Sequence, residues 1–270
     1  MDVSAPPKPI DAAVSLSAPQ DTRLAFIHIP KTAGTSFTRA LAVGWPRLRI
    51  VATPDQFLAI PEEAVADLDL VAGHFLHHLL DAPHWRSFTP LTVLRDPRAR
   101  LVSSYRYGRS VAREPGVAST PGMRFAATVS FAEYAFSMHG VGGRHAQIVM
   151  LAREKGENPH DRPLRDLLAR AKAVLEQIEV GTSDRLQDYV DYLYRLFGKG
   201  PAPTLKRLNT AEGRQDDDAD VLQLTHAQDE ALRELMRPDE ELVEHGRRLF
   251  ETRREALERG TECLGTPQRR

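Results

Sequence analysis

One cysteine, Cys263, occurs in 270 residues. That excludes an internal disulfide framework and a cysteine-ligated zinc site, since each needs several thiols. No run approaches the ~20 apolar residues of a membrane span. Residues 1–20 carry four prolines among Ala and Ser and contain nothing like the apolar stretch of a secretory signal. An excess of either charge is also missing: 36 Lys and Arg face 37 Asp and Glu, for a formal net charge of -1. A generic electrostatic nucleic-acid binder is thereby excluded, although a local basic site is not. No segment repeats. These absences predict a soluble, cytoplasmic protein that does not bind nucleic acid and has no membrane span.

Several strand-like and helix-like segments are present, and they alternate. Pro-rich residues 1–20 predict a disordered leader, 21–262 one domain, and 263–270 a flexible tail. Leu24–Ile29 is an apolar, β-favouring run closed by Pro30, and Thr35–Val43 then places Phe37, Ala40 and Leu41 at helical spacing. Leu68–Gly73, Pro90–Leu94 and Gln177–Gly181 read as further strands. Helices are predicted from Pro97 to about Tyr107, and over 131–138, 144–153, 163–176, 185–197 and 239–257. Residues 109–124 and 201–220 read as loops, and the run Asp216-Asp217-Asp218 as a solvated turn. Strands alternating with helices define an α/β domain: a mostly parallel central sheet with helices on both faces.

In such sheets ligands bind beyond the carboxyl ends of the strands. The three strongest polar clusters fall there. Lys31-Thr32-Ala33-Gly34-Thr35-Ser36 follows the first strand and opens a helix, where unpaired N–H groups and the helix dipole suit a phosphate or sulfate. Gly34 lets the backbone approach an anion, Thr35 and Ser36 offer hydroxyls, and Lys31 adds a full charge. The lysine precedes the last glycine, so this is not a Walker A loop. Arg95 stands at another strand end, before a helix that Asp96 can cap, and Ser103 lies two turns further on. A guanidinium and a hydroxyl there make a second phosphate clamp. Arg98, Arg100 and Arg106 read as solvated helix charges. His74 ends the Leu68–Gly73 strand beside these anion sites, and an imidazole titrates near working pH. His77, His78 and His84 read as surface histidines; a metal held by His74 and His78 lacks a carboxylate or cysteine close by in sequence.

His28-Ile29-Pro30-Lys31-Thr32-Ala33-Gly34-Thr35-Ser36 closely resembles the 5′-phosphosulfate loop of sulfotransferases that use 3′-phosphoadenosine-5′-phosphosulfate (PAPS). Arg95-Asp96-Pro97-Arg98-Ala99-Arg100-Leu101-Val102-Ser103-Ser104-Tyr105 resembles the 3′-phosphate motif of the same family. The flavour is that of the carbohydrate and Golgi-type branch and its bacterial relatives. Weaker echoes lie at Gln147–Leu151, Val180-Gly181-Thr182 and Leu208-Asn209-Thr210. The resemblance implies a P-loop-like three-layer α/β/α fold and transfer of a sulfuryl group from PAPS to a hydroxyl of a small molecule or glycan, without a metal. Within the loop from Lys31 through Thr32 and Ala33 to Ser36, it implies that Lys31 neutralises the leaving oxygen while Gly34, Thr35 and Ser36 hold the 5′-phosphate. It assigns the 3′-phosphate to Arg95 and Ser103, and a late covering loop to Lys206-Arg207-Leu208-Asn209, with Arg207 as its basic contact. Ala72-Gly73-His74-Phe75 is similar to the segment that supplies the catalytic histidine of uronyl 2-O-sulfotransferases, making His74 the expected base. Trp45 and Tyr105 are the candidates for stacking on adenine.

Two other functions fit parts of the pattern. A P-loop-like nucleotide kinase or hydrolase would need a Gly-Lys-Ser/Thr loop and an Asp for magnesium at a strand end, and neither is apparent. A non-catalytic nucleotide-binding protein would keep the phosphate sites without needing Lys31 or His74.

Overall fold

The computed structural model describes residues 22–114, 120–137, 143–205 and 223–260. The leader, the tail with Cys263, the acidic run and the late loop with Arg207 lie outside the described residues.

Five strands form one entirely parallel sheet in the order β2-β3-β1-β4-β5. They are β1 (Arg23–Ile27), β2 (Leu48–Val51), β3 (Leu70–Gly73), β4 (Phe88–Leu94) and β5 (Glu179–Thr182). The α/β expectation with a parallel sheet holds. Pro90 sits inside β4 because β5 pairs only from Leu91 onward, so that flank of β4 has no neighbour strand at the proline. Sequence reading missed β2. It is a four-residue edge strand whose Arg49 and Ile50 are exposed, so it shows neither a buried apolar run nor clean alternation.

Alternate residues of the central strands feed two cores. Leu24, Phe26, Leu70, Ala72, Leu91 and Val93 face α1 (Gly34–Gly44) and α9 (Leu186–Leu196), meeting Phe37, Leu41, Tyr189 and Leu193. Ala25, Ile27, Val71, Leu94 and Val180 face the opposite way, toward α7 (Ala146–Ala152), α8 (Leu164–Gln177) and α10 (His226–Glu258). Each large side chain so buried contributes about 1.5–3 kcal/mol. The three-layer α/β/α architecture therefore follows from the period-2 pattern of the strands. Short helices α2 (Pro54–Leu58) and α3 (Glu62–Val65) link β2 to β3.

A third cluster lies beside the sheet, where α4 (Pro97–Arg113) packs on α5 (Pro121–Thr128) and α6 (Phe131–Phe136) around Leu101, Tyr105, Phe131 and Tyr134. Here two expectations are corrected. The described parts of the expected loop 109–124 are largely helical: α4 runs on to Arg113, and Thr120 caps α5 by accepting from the Met123 N–H, while 115–119 lie outside the described residues. Arg100 is not a solvated charge but 1% exposed, donating to the carbonyls of Gly143 and Arg144. Both corrections come from packing against α4: α5 and α6 lie on the face with Leu101 and Tyr105, and Gly143, Arg144 and Asp239 surround Arg100. Arg106 is likewise only partly exposed.

Helix α10 starts at His226, thirteen residues before the expected Asp239, and passes through Pro238. Its start carries a capping box, Thr225 with Gln228. Before Pro238, Leu232 and Met236 are already buried in the third cluster; just beyond it, Asp239 is 0% exposed and bonds His145, with Arg100 and Arg144 as its neighbouring charges. At Gly246 the helix lies so close to the sheet that a Cβ would meet Leu94 Cδ1 at 2.7 Å. No described helix is long and apolar enough to cross a membrane.

Candidate active site

The chain leaves β1 toward β2 and β3 on one side of the sheet and leaves β4 toward β5 on the other. The crevice beyond their carboxyl ends is where such a sheet accepts a ligand. Register decides which side chains meet there. Ile27 pairs with Gly73 across β1 and β3, so His28 and His74 are the next residues of neighbouring strands. Ile27 also pairs with Thr92 of β4, which carries Arg95 toward the turn after β1.

That turn is held open by its backbone. Lys31 and Ala33 both adopt left-handed conformations, φ 69° and 68°. For residues with a Cβ this costs roughly 1–2 kcal/mol each, a strain that concentrates at ligand sites. Such turns gather N–H groups on one concave side, the arrangement of an anion nest. Thr32 is buried and its hydroxyl donates to the Ile29 carbonyl at 2.9 Å, pinning the turn from beneath. Helix α1 then begins with no side-chain cap and no acidic residue in its first turn. Its leading N–H groups and dipole are left for a ligand. Thr35 is exposed and Ser36 partly so. Gly34 cannot be replaced at no cost: a Cβ there would lie 2.0 Å from the His28 imidazole.

Arg95 joins the second cluster to the first. Its Nη1 donates to the Lys31 carbonyl at 3.0 Å. Burial pulls its guanidinium below the ordinary arginine value, with Asp96 opposing, and the group stays a cation. Gln147 fixes the backbone of Arg95 with two bonds: the Arg95 N–H donates to Oε1 at 2.9 Å and Nε2 donates to its carbonyl at 3.0 Å. Asp96 caps α4 as expected, accepting from Ala99 at 2.7 Å. Ser103 lies two turns into α4, partly exposed, with Tyr107 one turn beyond it. The Lys31 ammonium rests over the Tyr107 ring, 3.8 Å from its centre.

His74 is partly buried, and its Nδ1 is 2.6 Å from the His28 carbonyl oxygen. A carbonyl only accepts, so Nδ1 carries the proton and Nε2 of the neutral ring keeps its lone pair. The rings of His28 and His74 are 4.5 Å apart. Burial first, then the charges of His74 and Lys31, hold the His28 imidazole down to about 3, so it is neutral near pH 7.

Other candidates are engaged elsewhere. Trp45 is fully buried against Tyr194 and Phe197, its Nε1 donating to the Thr22 carbonyl. Tyr105 is fully buried too, its hydroxyl donating to the Val129 carbonyl at 2.6 Å. Neither ring is open to an adenine. His77, expected at the surface, is 8% exposed, and His78 bonds the Arg153 carbonyl. Among the described residues no group of three His, Cys, Asp or Glu could hold a metal ion.

Sequence reading assigned nothing to His28, Tyr107 or the Gln147–Arg95 clamp. Two signals were available: a histidine inside the apolar Leu24–Ile29 run, and a lone glutamine in the otherwise apolar Ala146–Ala152 helix.

A parallel α/β sheet, an uncapped helix start after β1 and an arginine at the end of β4 together define a three-layer α/β domain with cationic side chains at its strand ends. The sequence model of the sulfotransferase family matches residues 16–242, and the chain belongs to that family. It is an enzyme of sulfate transfer. No curated protein matched the chain in a sequence search.

Proposed function

We propose that the protein moves a sulfuryl group from PAPS to a hydroxyl of a small molecule or glycan, with Lys31 meeting the leaving-group charge and His74 as base. The observation that carries this reading is the convergence of Lys31, Arg95 and His74 at three adjacent strand ends, tied by the Arg95–Lys31 and His74–His28 bonds. The residues fit a donor with two phosphate groups. The strained, uncapped turn over 31–36 offers backbone N–H groups and hydroxyls to the 5′-phosphosulfate, and Arg95 with Ser103 offers a cation and a hydroxyl to the 3′-phosphate.

Sulfuryl transfer is a displacement at sulfur, helped by alignment and charge stabilisation more than by a covalent protein intermediate. His74 Nε2 takes the acceptor proton as the acceptor oxygen bonds to sulfur. Lys31 neutralises the charge gathering on the phosphate oxygen as the sulfur–oxygen bridge breaks. The scheme calls for no metal, because Lys31 and Arg95 supply the cations. The scheme favours sulfotransfer over kinase chemistry because the lysine stands before Gly34, where it reaches a leaving group rather than a Walker-type γ-phosphate.

The test is calorimetric. 3′-Phosphoadenosine 5′-phosphate is expected to bind more tightly than adenosine 5′-phosphate by roughly 1.5–3 kcal/mol, the range of a charged hydrogen bond, which is about ten- to hundredfold in affinity. In Arg95→Ala that preference shrinks. Equal affinity of the wild-type protein for the two nucleotides rules out Arg95 and Ser103 as a 3′-phosphate site.

A further inference from the structure

The histidine that precedes the anion turn is built into the site without a role in the chemistry above. Its position is over-determined. The His28 N–H donates to the Gly73 carbonyl at 2.8 Å, while its own carbonyl accepts from His74 Nδ1 at 2.6 Å. Its ring stacks on Phe26 with centroids 5.4 Å apart and an interplanar angle of 15°. On the next side it faces the His74 ring at 4.5 Å and 34°. Its Nε2–Cδ2 edge fills the space that any side chain at position 34 would need.

We propose that His28 is the positioning residue of the base: its carbonyl fixes the tautomer of His74, and its ring, wedged between Phe26, Gly34 and the His74 ring, keeps the bonded rotamer in place. This rests on the reading of His74 as base. An unrestrained imidazole exchanges between two neutral tautomers, and only the Nδ1–H form leaves Nε2 free to take a proton. The carbonyl selects that form as long as the His74 ring cannot turn away from it, and the His28 ring blocks one side of that turn. The titratable groups that face His28 are His74 from β3 and Lys31 from the anion turn. Both are positive or become so when the acceptor proton arrives, so the wedge gains nothing by taking a proton itself. The proton therefore stays on His74.

Nitrogen-resolved NMR of the histidine rings in the full chain reads the tautomer directly, and steady-state kinetics read its consequence. In the wild-type protein at neutral pH, His74 shows a protonated Nδ1 and a bare Nε2. In His28→Ala the signal moves toward a mixture of tautomers, and kcat falls by about 10- to 100-fold, as for a group misplaced by about an ångström, with the donor KM much less affected. His28→Phe, which keeps both carbonyl and flat wedge, restores the single tautomer and most of kcat. If His28→Ala does not fold, His28→Leu, which fills the volume without a flat ring, takes its place in the comparison. A single unchanged tautomer with unchanged kcat in the ring-less variant overturns the proposal. So does a His28→Phe variant as inactive as His28→Ala, which makes a His28 nitrogen itself part of the chemistry. The tautomer spectrum needs no turnover, so an active His74→Ala enzyme sinks the base reading while leaving the His28 result to stand or fall separately.

Discussion

His74→Ala is expected to lower kcat by roughly 10²–10⁴-fold, the usual contribution of general base catalysis. The nucleotide product should bind almost as before, because the phosphate contacts proposed above lie with the turn over 31–36 and with Arg95. Nδ1 is committed to the His28 carbonyl at 2.6 Å, so Nε2 is the only acceptor the ring can offer. A carboxylate alternative is weak on geometry. Glu133 is committed to the capping box of α6, accepting the Ser130 N–H at 2.8 Å, and those bonds hold its carboxyl below the usual range. Normal specific activity in folded His74→Ala removes the residue from the mechanism.

Lys31→Ala is expected to cut kcat by about 10²–10³-fold, the scale of losing one preorganised group at a developing anion. Nucleotide affinity should change far less. The structure gives the reason. The Lys31 backbone makes the turn and accepts from Arg95 at 3.0 Å, whereas its side chain reaches across to Tyr107. Truncation at Cβ therefore leaves the turn and its N–H groups standing. What it removes is the charge that, in the proposed scheme, meets the leaving oxygen, an interaction strongest in the transition state. Rates measured beside calorimetric affinities separate the two effects, and Lys31→Arg, which keeps a cation of different shape, should fall between wild type and Lys31→Ala. Equal losses in kcat and in product binding would make Lys31 a simple anchor.

The frame of this site was legible in the sequence for a physical reason. β1, β3 and β4 are the central strands, buried on both faces, and such strands appear as unbroken apolar runs that stop at a polar residue. The polar residues that follow them, Lys31, His74 and Arg95, were therefore visible as strand-end groups in the sequence. What could not be read were partnerships set by packing between distant segments. Gln147 meets Arg95 across 52 positions, and nothing local marks the pair. Arg100 looks like any helix-surface arginine until the carbonyls of Gly143 and Arg144 meet it. The last helix was expected to begin at Asp239, yet α10 starts at His226 and passes through Pro238 with Asp239 buried just beyond. β2 is an edge strand with one buried residue, too short for a period to show. Trp45 and Tyr105 failed as adenine platforms for a related reason: large aromatics are as useful to a core as to a ligand, and burial alone distinguishes them.

The central claim is that the crevice between β1 and β4 takes a 3′-phosphorylated adenine nucleotide without a metal. Thermal shift tests it most directly, with PAPS, 3′-phosphoadenosine 5′-phosphate and ATP each added to the full chain, with magnesium and with chelator. A ligand that binds only the folded chain raises its stability by about 2.7 kcal/mol at a hundred times its Kd. The account predicts a clear rise in Tm with PAPS and with 3′-phosphoadenosine 5′-phosphate, the same in chelator as in magnesium, and little or none with ATP. A rise with ATP that depends on magnesium, and none with the 3′-phosphorylated nucleotides, contradicts it.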